Sequence, residues 1–243
     1  MAGMRIAVAG GTGLVGRQVV SLLGQAGHQP VVLARSQGMD LTTGAGLDAA
    51  LSGVDVVIDV SNVTTLSKKR SVGYFAAATG RLLAAGARNG VRHHLALSIV
   101  GIDRVGWGYY AGKLRQEELI AAGPVPWTVL RATQFHEFAE QLLARTPGPL
   151  VPVPRLRVQP VAAREVAARL VELALGPAAG NAAEIAGPEV HELVDLVRQV
   201  VRVDGRRRLV LGIPMPGASA GGLLPVGNYT RGGESFAEWL RSR

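Results

Sequence analysis

A glycine-rich segment near the N-terminus constrains the fold of this chain more than any other feature. Residues 9–16 read AGGTGLVG and place glycines at positions 10, 13 and 16. An apolar run, residues 5–9, precedes them, and residues 14–25, with helical spacing, follow. Glycines between a strand and a helix permit a tight turn and let a ligand approach the backbone closely. Since free N–H groups at the helix start bind anions, the pattern predicts a dinucleotide pyrophosphate site.

The next hundred residues alternate between apolar runs and helical patterns. Strands are predicted at residues 30–34, 54–60, 93–100 and 127–131, and helices at residues 47–51, 74–89 and 109–122. Strands that are apolar on both faces and separated by helices are typical of a parallel sheet covered on both sides. We therefore expect an α/β protein with a Rossmann-type doubly wound parallel sheet.

The last third of the chain is less regular. Residues 146–160 carry five prolines and are predicted as a loop with edge strands, whereas residues 209–235 are predicted as a glycine- and proline-rich loop. Further predicted elements are helices at 164–175, 192–201 and 236–241 and a strand at 182–186. Met215 and the run 217–222 are a candidate mobile lid. We expect one dinucleotide-binding domain over residues 1–243, with roughly residues 132–160 and 182–243 forming a small C-terminal substrate-binding lobe.

Composition narrows the classes of partner. The formal net charge is +8, but the densest basic runs, 68–70 and 206–208, have only three residues each. Such short runs are typical of exposed loops, so we expect no nucleic-acid partner. The absence of cysteine excludes disulfides and thiolate metal sites, and no histidine–carboxylate spacing indicates another metal site. Without a signal peptide or a bilayer-length apolar run, we expect a cytoplasmic monomer or homodimer with no membrane partner.

The residues after the second strand indicate which dinucleotide is bound. An acidic side chain there holds the ribose 2′-hydroxyl of NAD. This chain has Arg35 and Ser36 at that place, with no carboxylate until Asp40. An arginine guanidinium pairs well with a 2′-phosphate, so Arg35 predicts NADPH (NADP+), with Arg17 as a possible helper. Asp40 is a candidate to face the adenine edge, and an ordinary exposed arginine is the alternative for Arg35.

A tyrosine and a lysine suggest what the bound nicotinamide does. Tyr109 and Lys113 are four residues apart, on one helix face. We expect the lysine ammonium to lower the pKa of the phenol, which then donates a proton to a carbonyl oxygen as hydride reaches the carbon. Lys113 also holds the nicotinamide ribose in this hypothesis, and Ser98, at the end of the fourth strand, orients the substrate oxygen. Tyr110 is the alternative donor, and a surface pair is the alternative to catalysis.

These features together resemble the short-chain dehydrogenase/reductase superfamily, and most closely its atypical NmrA-like and related NAD(P)-binding proteins. The resemblance rests on AGGTGLVG (9–16), LARS (33–36), LSIVGID (97–103), YYAGKLRQEELI (109–120) and WTVLRATQF (127–135). It implies that Ser98, Tyr109 and Lys113 are catalytic, that Asn62 lines the cofactor groove and that residues 132–135 border the nicotinamide. The predicted cofactor-binding residues are Gly10, Thr12, Gly13, Leu14, Val15, Gly16, Arg35, Ser36, Asp40, Asn62, Lys113, Ala132, Thr133 and Phe135.

The function favoured by these residues is NADPH-dependent reduction of a carbonyl or quinone-like group of a small organic molecule. An epimerase or dehydratase that uses the cofactor transiently is one alternative, and a non-catalytic NmrA-like NADP(H) sensor is the other. His136 and Trp107 are further candidates to enter the substrate pocket. For both, a structural role in packing is the alternative.

Overall fold

The computed structural model describes residues 3–205, 207–215 and 221–243. Residue 206 of the second basic run and residues 217–220 of the candidate lid therefore lie outside the described residues. The strands are β1 (Arg5–Ala9), β2 (Gln29–Leu33), β3 (Val56–Asp59), β4 (His93–Ile99), β5 (Trp127–Ala132), β6 (Leu150–Pro154), β7 (Arg157–Val158), β8 (Gly180–Asn181), β9 (Ile185–Ala186), β10 (His191–Glu192), β11 (Leu209–Ile213) and β12 (Thr230–Arg231). The helices are α1 (Leu14–Gln25), α2 (Leu47–Leu51), α3 (Lys68–Arg88), α4 (Gly108–Ala121), α5 (Phe138–Arg145), α6 (Ala163–Leu175), α7 (Leu193–Val203) and α8 (Phe236–Ser242).

The chain divides into two compact units. Unit 1 comprises Met1–Ser98, Gly106–Arg131 and Arg164–Ala182, and unit 2 comprises Ile99–Val105, Ala132–Ala163 and Ala183–Arg243. Among the described residues, no helix combines the length and the apolar character that crossing a bilayer requires.

Unit 1 is built on a parallel sheet. Its strands run in the order β2-β1-β3-β4-β5, and β8 pairs with β5. Ala9 is in register with both Leu33 and Asp59, and Asp59 is in register with Ala96 of β4. The carboxyl ends of β1, β2 and β3 therefore lie along one edge of the sheet, where ligands bind in such folds. The predicted α/β fold with a Rossmann-type parallel sheet is confirmed.

Apolar side chains of the strands explain why this sheet is buried. All four residues of β3 are buried, as are six of the seven residues of β4. One core cluster joins Ala7, Ala9 and Val57 of the strands to Leu51 of α2 and Leu82 of α3. Packing these side chains together removes apolar surface from water, and each Å² buried stabilises the fold by about 25 cal/mol.

Helices α3 and α4 of unit 1 pack closely. The Ser71 hydroxyl of α3 donates to the backbone oxygen of Tyr109 at 2.7 Å, which ties the first turn of α4 to α3. A Cβ on Gly112 would lie 2.1 Å from Ser71 Oγ and 2.7 Å from Phe75 Cδ2, so only glycine allows this approach. The prediction that residues 68–70 form a loop is wrong. They are exposed in the first turn of α3, because Ser67 caps the helix by accepting from the Arg70 N–H at 3.3 Å.

The described residues of unit 2 form short strands and three helices. Within it β6 pairs with β11 and β9 with β12 in parallel, and β7 pairs with β10 in antiparallel orientation. Residues 209–235, predicted as a loop, therefore include two strands. Helix α8 begins with a capping box, since the Ser235 hydroxyl accepts from the Glu238 N–H and the Glu238 carboxylate accepts from the Ser235 N–H.

Candidate active site

The glycine turn after β1 has the geometry that a phosphate site requires. Gly10 has a φ of 79°, and a Cβ on it would lie 2.9 Å from both Ser61 Cα and Val60 O. A Cβ on Gly16 would lie 2.2 Å from Gly10 O, so α1 packs directly on the turn. Gly13 is exposed and is the N-cap residue of α1. Because glycine has no side chain, it does not cap the first N–H groups of the helix. These N–H groups and the helix dipole fit the pyrophosphate of a dinucleotide.

The other predicted residues of the turn differ in what they can offer a ligand. Thr12 is exposed and Leu14 is partly buried, whereas Val15 is 5% exposed and packs in the core. Val15 can therefore present only its backbone N–H to a phosphate. Arg17 is exposed, and its own N–H is already bonded to Gly13 O at 3.0 Å.

The segment after β2 carries an exposed cation. Arg35 opens a 3₁₀ turn, Arg35–Gln37, and both Arg35 and Ser36 are exposed. The Asp40 carboxylate accepts from Thr42 through the hydroxyl at 2.7 Å and the N–H at 2.8 Å. These hydrogen bonds, helped by the charge of Arg35, hold the pKa of Asp40 below its usual value. Asp40 therefore stabilises its own loop, and its contact with adenine stays a prediction.

Tyr109 is held by the residue that was predicted to line the cofactor groove. Its hydroxyl donates to Asn62 Oδ1 at 2.6 Å. Burial raises the pKa of Tyr109, and the hydrogen bond to Asn62 offsets only part of that rise. The expectation that Lys113 lowers this pKa is wrong for the structure as it stands, because burial outweighs every other influence on the phenol. The phenol is protonated at neutral pH, as an unperturbed tyrosine is, and the raised pKa makes it a weaker acid than a free phenol.

Lys113 is buried and firmly anchored. The side chain is 5% exposed, and its Nζ donates to Leu97 O at 2.7 Å and to Gln116 Oε1 at 2.8 Å. The ammonium also lies 4.8 Å from the centre of the Phe75 ring. Burial lowers the pKa of Lys113 to about 8, while the negative charges of Asp59 and Glu117 oppose that shift.

Ser98 lies on β4, next to the Leu97 carbonyl that anchors Lys113. The residue is 3% exposed, and its hydroxyl has no hydrogen-bond partner among the residues that the structure describes. A buried hydroxyl without a partner is unusual, and a ligand oxygen would supply what it lacks. The catalytic assignments of Ser98, Tyr109 and Lys113 stay predictions.

The aromatic residues around Tyr109 pack against one another. Tyr110, the alternative donor, is 7% exposed, and its ring lies 5.2 Å from the ring of Trp107. Burial, and to a lesser extent Tyr109, raises the pKa of Tyr110. Trp107 is the N-cap residue of α4 and has a packing role here.

The candidates of unit 2 make contacts within that unit. The Thr133 hydroxyl donates to Gln159 O at 2.6 Å, Ala132 pairs with Ile185, and Phe135 bridges to Val161. The hydroxyl of Thr133 donates to Gln159 and its backbone N–H donates to Ile185 O at 3.0 Å, so Thr133 can offer a cofactor acceptor oxygens but no free N–H or O–H donor. Their roles as cofactor-binding residues stay predictions.

His136 is buried in an aromatic cluster of unit 2. Its ring lies 5.6 Å from that of Phe236 and 5.7 Å from that of Trp239, and its Nε2 is 3.1 Å from Glu234 O. The side chain is 1% exposed. These contacts favour the structural role over entry into a pocket.

Two residues that the sequence did not single out lie beside Lys113. Gln116 Nε2 donates to Asp59 Oδ2 at 2.8 Å, and Asp59 Oδ1 accepts from the Ser61 N–H at 2.9 Å. Asp59 is 0% exposed and Gln116 is 1% exposed. The available signals were the charge of Asp59 at the end of an apolar run and the spacing of Gln116, three residues after Lys113 on one helix.

A parallel sheet with this glycine turn, an arginine after β2 and a tyrosine–lysine pair on α4 defines a Rossmann-type dinucleotide-binding protein. A family model described as NAD(P)H-binding matches residues 10–175. The match covers more than half of the chain, which therefore belongs to the NAD(P)H-binding family.

Relatives of known identity agree with this assignment. The chain is 31% identical to a (4-alkanoyl-5-oxo-2,5-dihydrofuran-3-yl)methyl phosphate reductase of Streptomyces griseus, over 83% of this chain and 74% of that protein. It is similar to a short-chain dehydrogenase/reductase superfamily protein from Agrobacterium tumefaciens solved with NAD, with a TM-score of 0.71, 18% identity and coverage of 98% and 95% of the two chains. An NADPH-dependent quinone oxidoreductase from Escherichia coli matches with a TM-score of 0.68, 17% identity and coverage of 98% of each chain.

The solved structures confirm the predicted superfamily fold, because the likeness extends over nearly the whole chain. Because their sequence identity to this chain is below 20%, these structures support the fold and no functional role. The family match and the reductase relative together support an NAD(P)-dependent oxidoreductase.

Proposed function

We propose that this chain is an NADPH-dependent reductase that acts on a carbonyl or quinone-like group of a small organic molecule. The observation that carries the proposal is the link between the glycine turn and the tyrosine. Ser61 approaches so closely that a Cβ on Gly10 would lie 2.9 Å from its Cα, and the next residue, Asn62, accepts the hydrogen bond of Tyr109. The glycine turn and the Tyr109 hydroxyl, to which we assign phosphate binding and proton donation, thus lie at one edge of the sheet in unit 1.

The residues present fit a phosphorylated nicotinamide dinucleotide. The N–H groups at the start of α1 would hold the pyrophosphate. Arg35 is exposed, and its guanidinium would pair with the 2′-phosphate through two parallel hydrogen bonds. When bound, the nicotinamide supplies a hydride to the substrate carbon.

The side chains of unit 1 supply the proton and hold the reacting groups. Tyr109 is the neutral acid: its hydroxyl, which donates to Asn62 Oδ1 in the absence of substrate, would turn from Asn62 to the substrate oxygen and pass its proton to that oxygen. The ammonium of Lys113 has a third N–H beyond those given to Leu97 O and Gln116 Oε1, and that N–H would hold the nicotinamide ribose. The Ser98 hydroxyl would donate to the same substrate oxygen as Tyr109 and orient it.

The reductase relative supports a small carbonyl-bearing substrate. The name of that protein describes a compound with alkanoyl and oxo groups. The same compound has a ring double bond conjugated with these carbonyls, and the name does not state which bond is reduced. A phenol donor beside a hydride source can protonate the carbonyl oxygen in either case, so the name is compatible with the proposed chemistry.

Turnover tests the proposal. Purified protein is mixed with NADPH and a panel of ketones, lactones and quinones, and NADPH oxidation is followed by absorbance. We expect turnover with at least one compound, and Tyr109→Phe should reduce it by about 10²- to 10⁴-fold because the general acid is lost.

Tyr110→Phe is the matched control, since it removes a neighbouring phenol from the same helix. We expect this variant to retain most of the activity. The proposal fails if no compound is reduced while NADPH binds, as the sensor alternative predicts, or if Tyr110→Phe is the inactive variant, which would move the donor to Tyr110.

A further inference from the structure

We infer that Asp59 and Gln116 are positioning residues for Lys113. Through the carboxamide of Gln116, the carboxylate of Asp59 fixes the direction of the Lys113 ammonium and keeps its positive charge in a buried site. The catalytic importance of this arrangement rests on the proposed function, whereas the arrangement itself can be measured in the absence of any cofactor.

Three buried polar groups form an unbroken chain of hydrogen bonds. Lys113 Nζ donates to Gln116 Oε1 at 2.8 Å, and Gln116 Nε2 donates to Asp59 Oδ2 at 2.8 Å. The exposures of Lys113, Gln116 and Asp59 are 5%, 1% and 0%. In so dry a place, each donor and acceptor needs a partner, so removing one member leaves its neighbour unsatisfied.

The chain of hydrogen bonds from Lys113 through Gln116 to Asp59 can have only one donor-to-acceptor direction. A carboxamide has a donor end and an acceptor end, whereas an ionised carboxylate only accepts and an ammonium only donates. The Asp59 carboxylate therefore attracts the NH₂ of Gln116 and turns Oε1 towards Lys113. Asp59 is itself fixed, because its second oxygen accepts from the Ser61 N–H.

The charged groups around these hydrogen bonds indicate that Lys113 is the cation that the Asp59 carboxylate stabilises. Glu117 also acts on Lys113, but its carboxylate is paired with Arg131 at 2.7 Å. His94, on the neighbouring strand, interacts with Asp59, and burial lowers the pKa of His94 so that its ring is neutral at pH 7. Tyr74 of α3 also interacts with Asp59, and burial raises the pKa of Tyr74, so the phenol is neutral too.

A merely structural role is the competing explanation, since the bond between Gln116 and Asp59 also ties α4 to β3. The two explanations differ in how Lys113 titrates. If the bond only ties the two elements, removing the polar ends of Gln116 leaves the pKa of Lys113 unchanged, provided that the fold survives, whereas loss of the Asp59 charge lowers that pKa under either explanation. A positioning chain moves that pKa in a direction set by the charge and polarity of the replacement.

Lysine labelling makes the titration directly measurable. The chain has only three lysines, Lys68, Lys69 and Lys113, and the first two are exposed at the start of α3. With ¹³Cε-labelled lysine, NMR should resolve one buried and two exposed signals across a pH titration. Lys68→Arg and Lys69→Arg assign the exposed pair.

Three variants, compared in the ligand-free protein, test the inference. Gln116→Met removes both polar ends at similar volume, and we expect the midpoint of Lys113 to fall by about one pH unit or more, because burial is then less opposed. Asp59→Asn should act in the same direction, since the carboxylate charge is lost and the carboxamide of Gln116 is free to flip. Gln116→Glu keeps an acceptor towards Lys113 and should leave the midpoint at or above that of the wild type.

Gln25→Met, on the exposed face of α1, is the control and should leave all three lysine signals unchanged. The inference is overturned if Gln116→Met and Asp59→Asn give folded proteins in which Lys113 titrates as in the wild type. It is also overturned if Gln116→Glu shifts the midpoint downwards as far as Gln116→Met does. Either result leaves the turnover test of the proposed function untouched, and a failure of turnover leaves this titration valid.

Discussion

At the scale of single residues, Lys113 combines a catalytic assignment with a cost to the folded state. A lysine ammonium ordinarily titrates near 10.5, whereas burial lowers the pKa of Lys113 to about 8. Between these two pH values the unfolded chain binds more protons than the folded chain does. The free energy of unfolding therefore rises as the pH increases from about 8 towards 10.5. Below pH 8 the buried ammonium is charged and destabilises the fold most.

This linkage predicts a pH-dependent difference between the wild type and Lys113→Met. As the pH rises from 7 to about 10, the wild type should gain roughly 1–3 kcal/mol in free energy of unfolding relative to Lys113→Met. Urea denaturation at several pH values measures the difference. The exposed Lys69→Met is the control and should show no such trend, and a difference that stays constant or shrinks with pH would contradict the lowered pKa.

The sequence predicted where the candidate residues lie on their elements better than it predicted their electrostatics. The spacing of Tyr109 and Lys113 placed both on one helix face. It could not show that the ammonium bonds to Leu97 O, sixteen residues away, or that burial raises the pKa of the phenol. Asp59 and Gln116 were missed because their bond joins residues 57 positions apart, and no local pattern records such a partner.

At the scale of elements, the crossing of α3 and α4 sets the position of the tyrosine–lysine face. Gly112 lies next to Lys113 at this crossing, where a Cβ would lie 2.1 Å from Ser71 Oγ. Gly112→Ala should therefore destabilise the protein by about 1–3 kcal/mol through overpacking, although alanine is intrinsically the better helix former. Thermal or chemical denaturation measures the change.

Gly73→Ala is the matched control, because Gly73 is a helical glycine of α3 with no atom within 4 Å of a built Cβ. It should stabilise the protein by about 0.5–1 kcal/mol, since alanine loses less conformational entropy. The close approach of the two helices is refuted if both substitutions stabilise the protein equally.

Elements with strong local patterns were predicted well, and those that depend on distant pairing were not. Helices α1 and α4 and strands β1 to β5 agree with the apolar periodicity to within a few residues. The start of α3 was missed because its first turn is exposed and basic. Strand β11 was missed because it pairs with β6, with Leu209 opposite Leu150, in a region whose glycines and prolines indicate loops.

At the scale of the whole molecule, the alternation of strands and helices after the glycine turn was sufficient to predict the fold class. The architecture of unit 2 was not predictable from the sequence, because it is assembled from short strands whose partners are far apart in the chain. The glycine turn itself is a local feature. Gly10 has the positive φ and Gly16 the close packing that their spacing indicated, whereas Gly13 has an ordinary extended backbone with a φ of −75°.

The proposed activity requires that NADPH binds at this turn and that Arg35 recognises the 2′-phosphate. Isothermal titration calorimetry with NADPH and NADH measures both. We expect the wild type to prefer NADPH, and Arg35→Ala to weaken NADPH by roughly 10- to 100-fold with little change for NADH, because a charge-assisted hydrogen bond is lost. Arg88→Ala, which removes an exposed arginine paired with Asp48, should change neither affinity. Equal losses of both cofactors in Arg35→Ala, or a wild type that prefers NADH, would contradict the assignment.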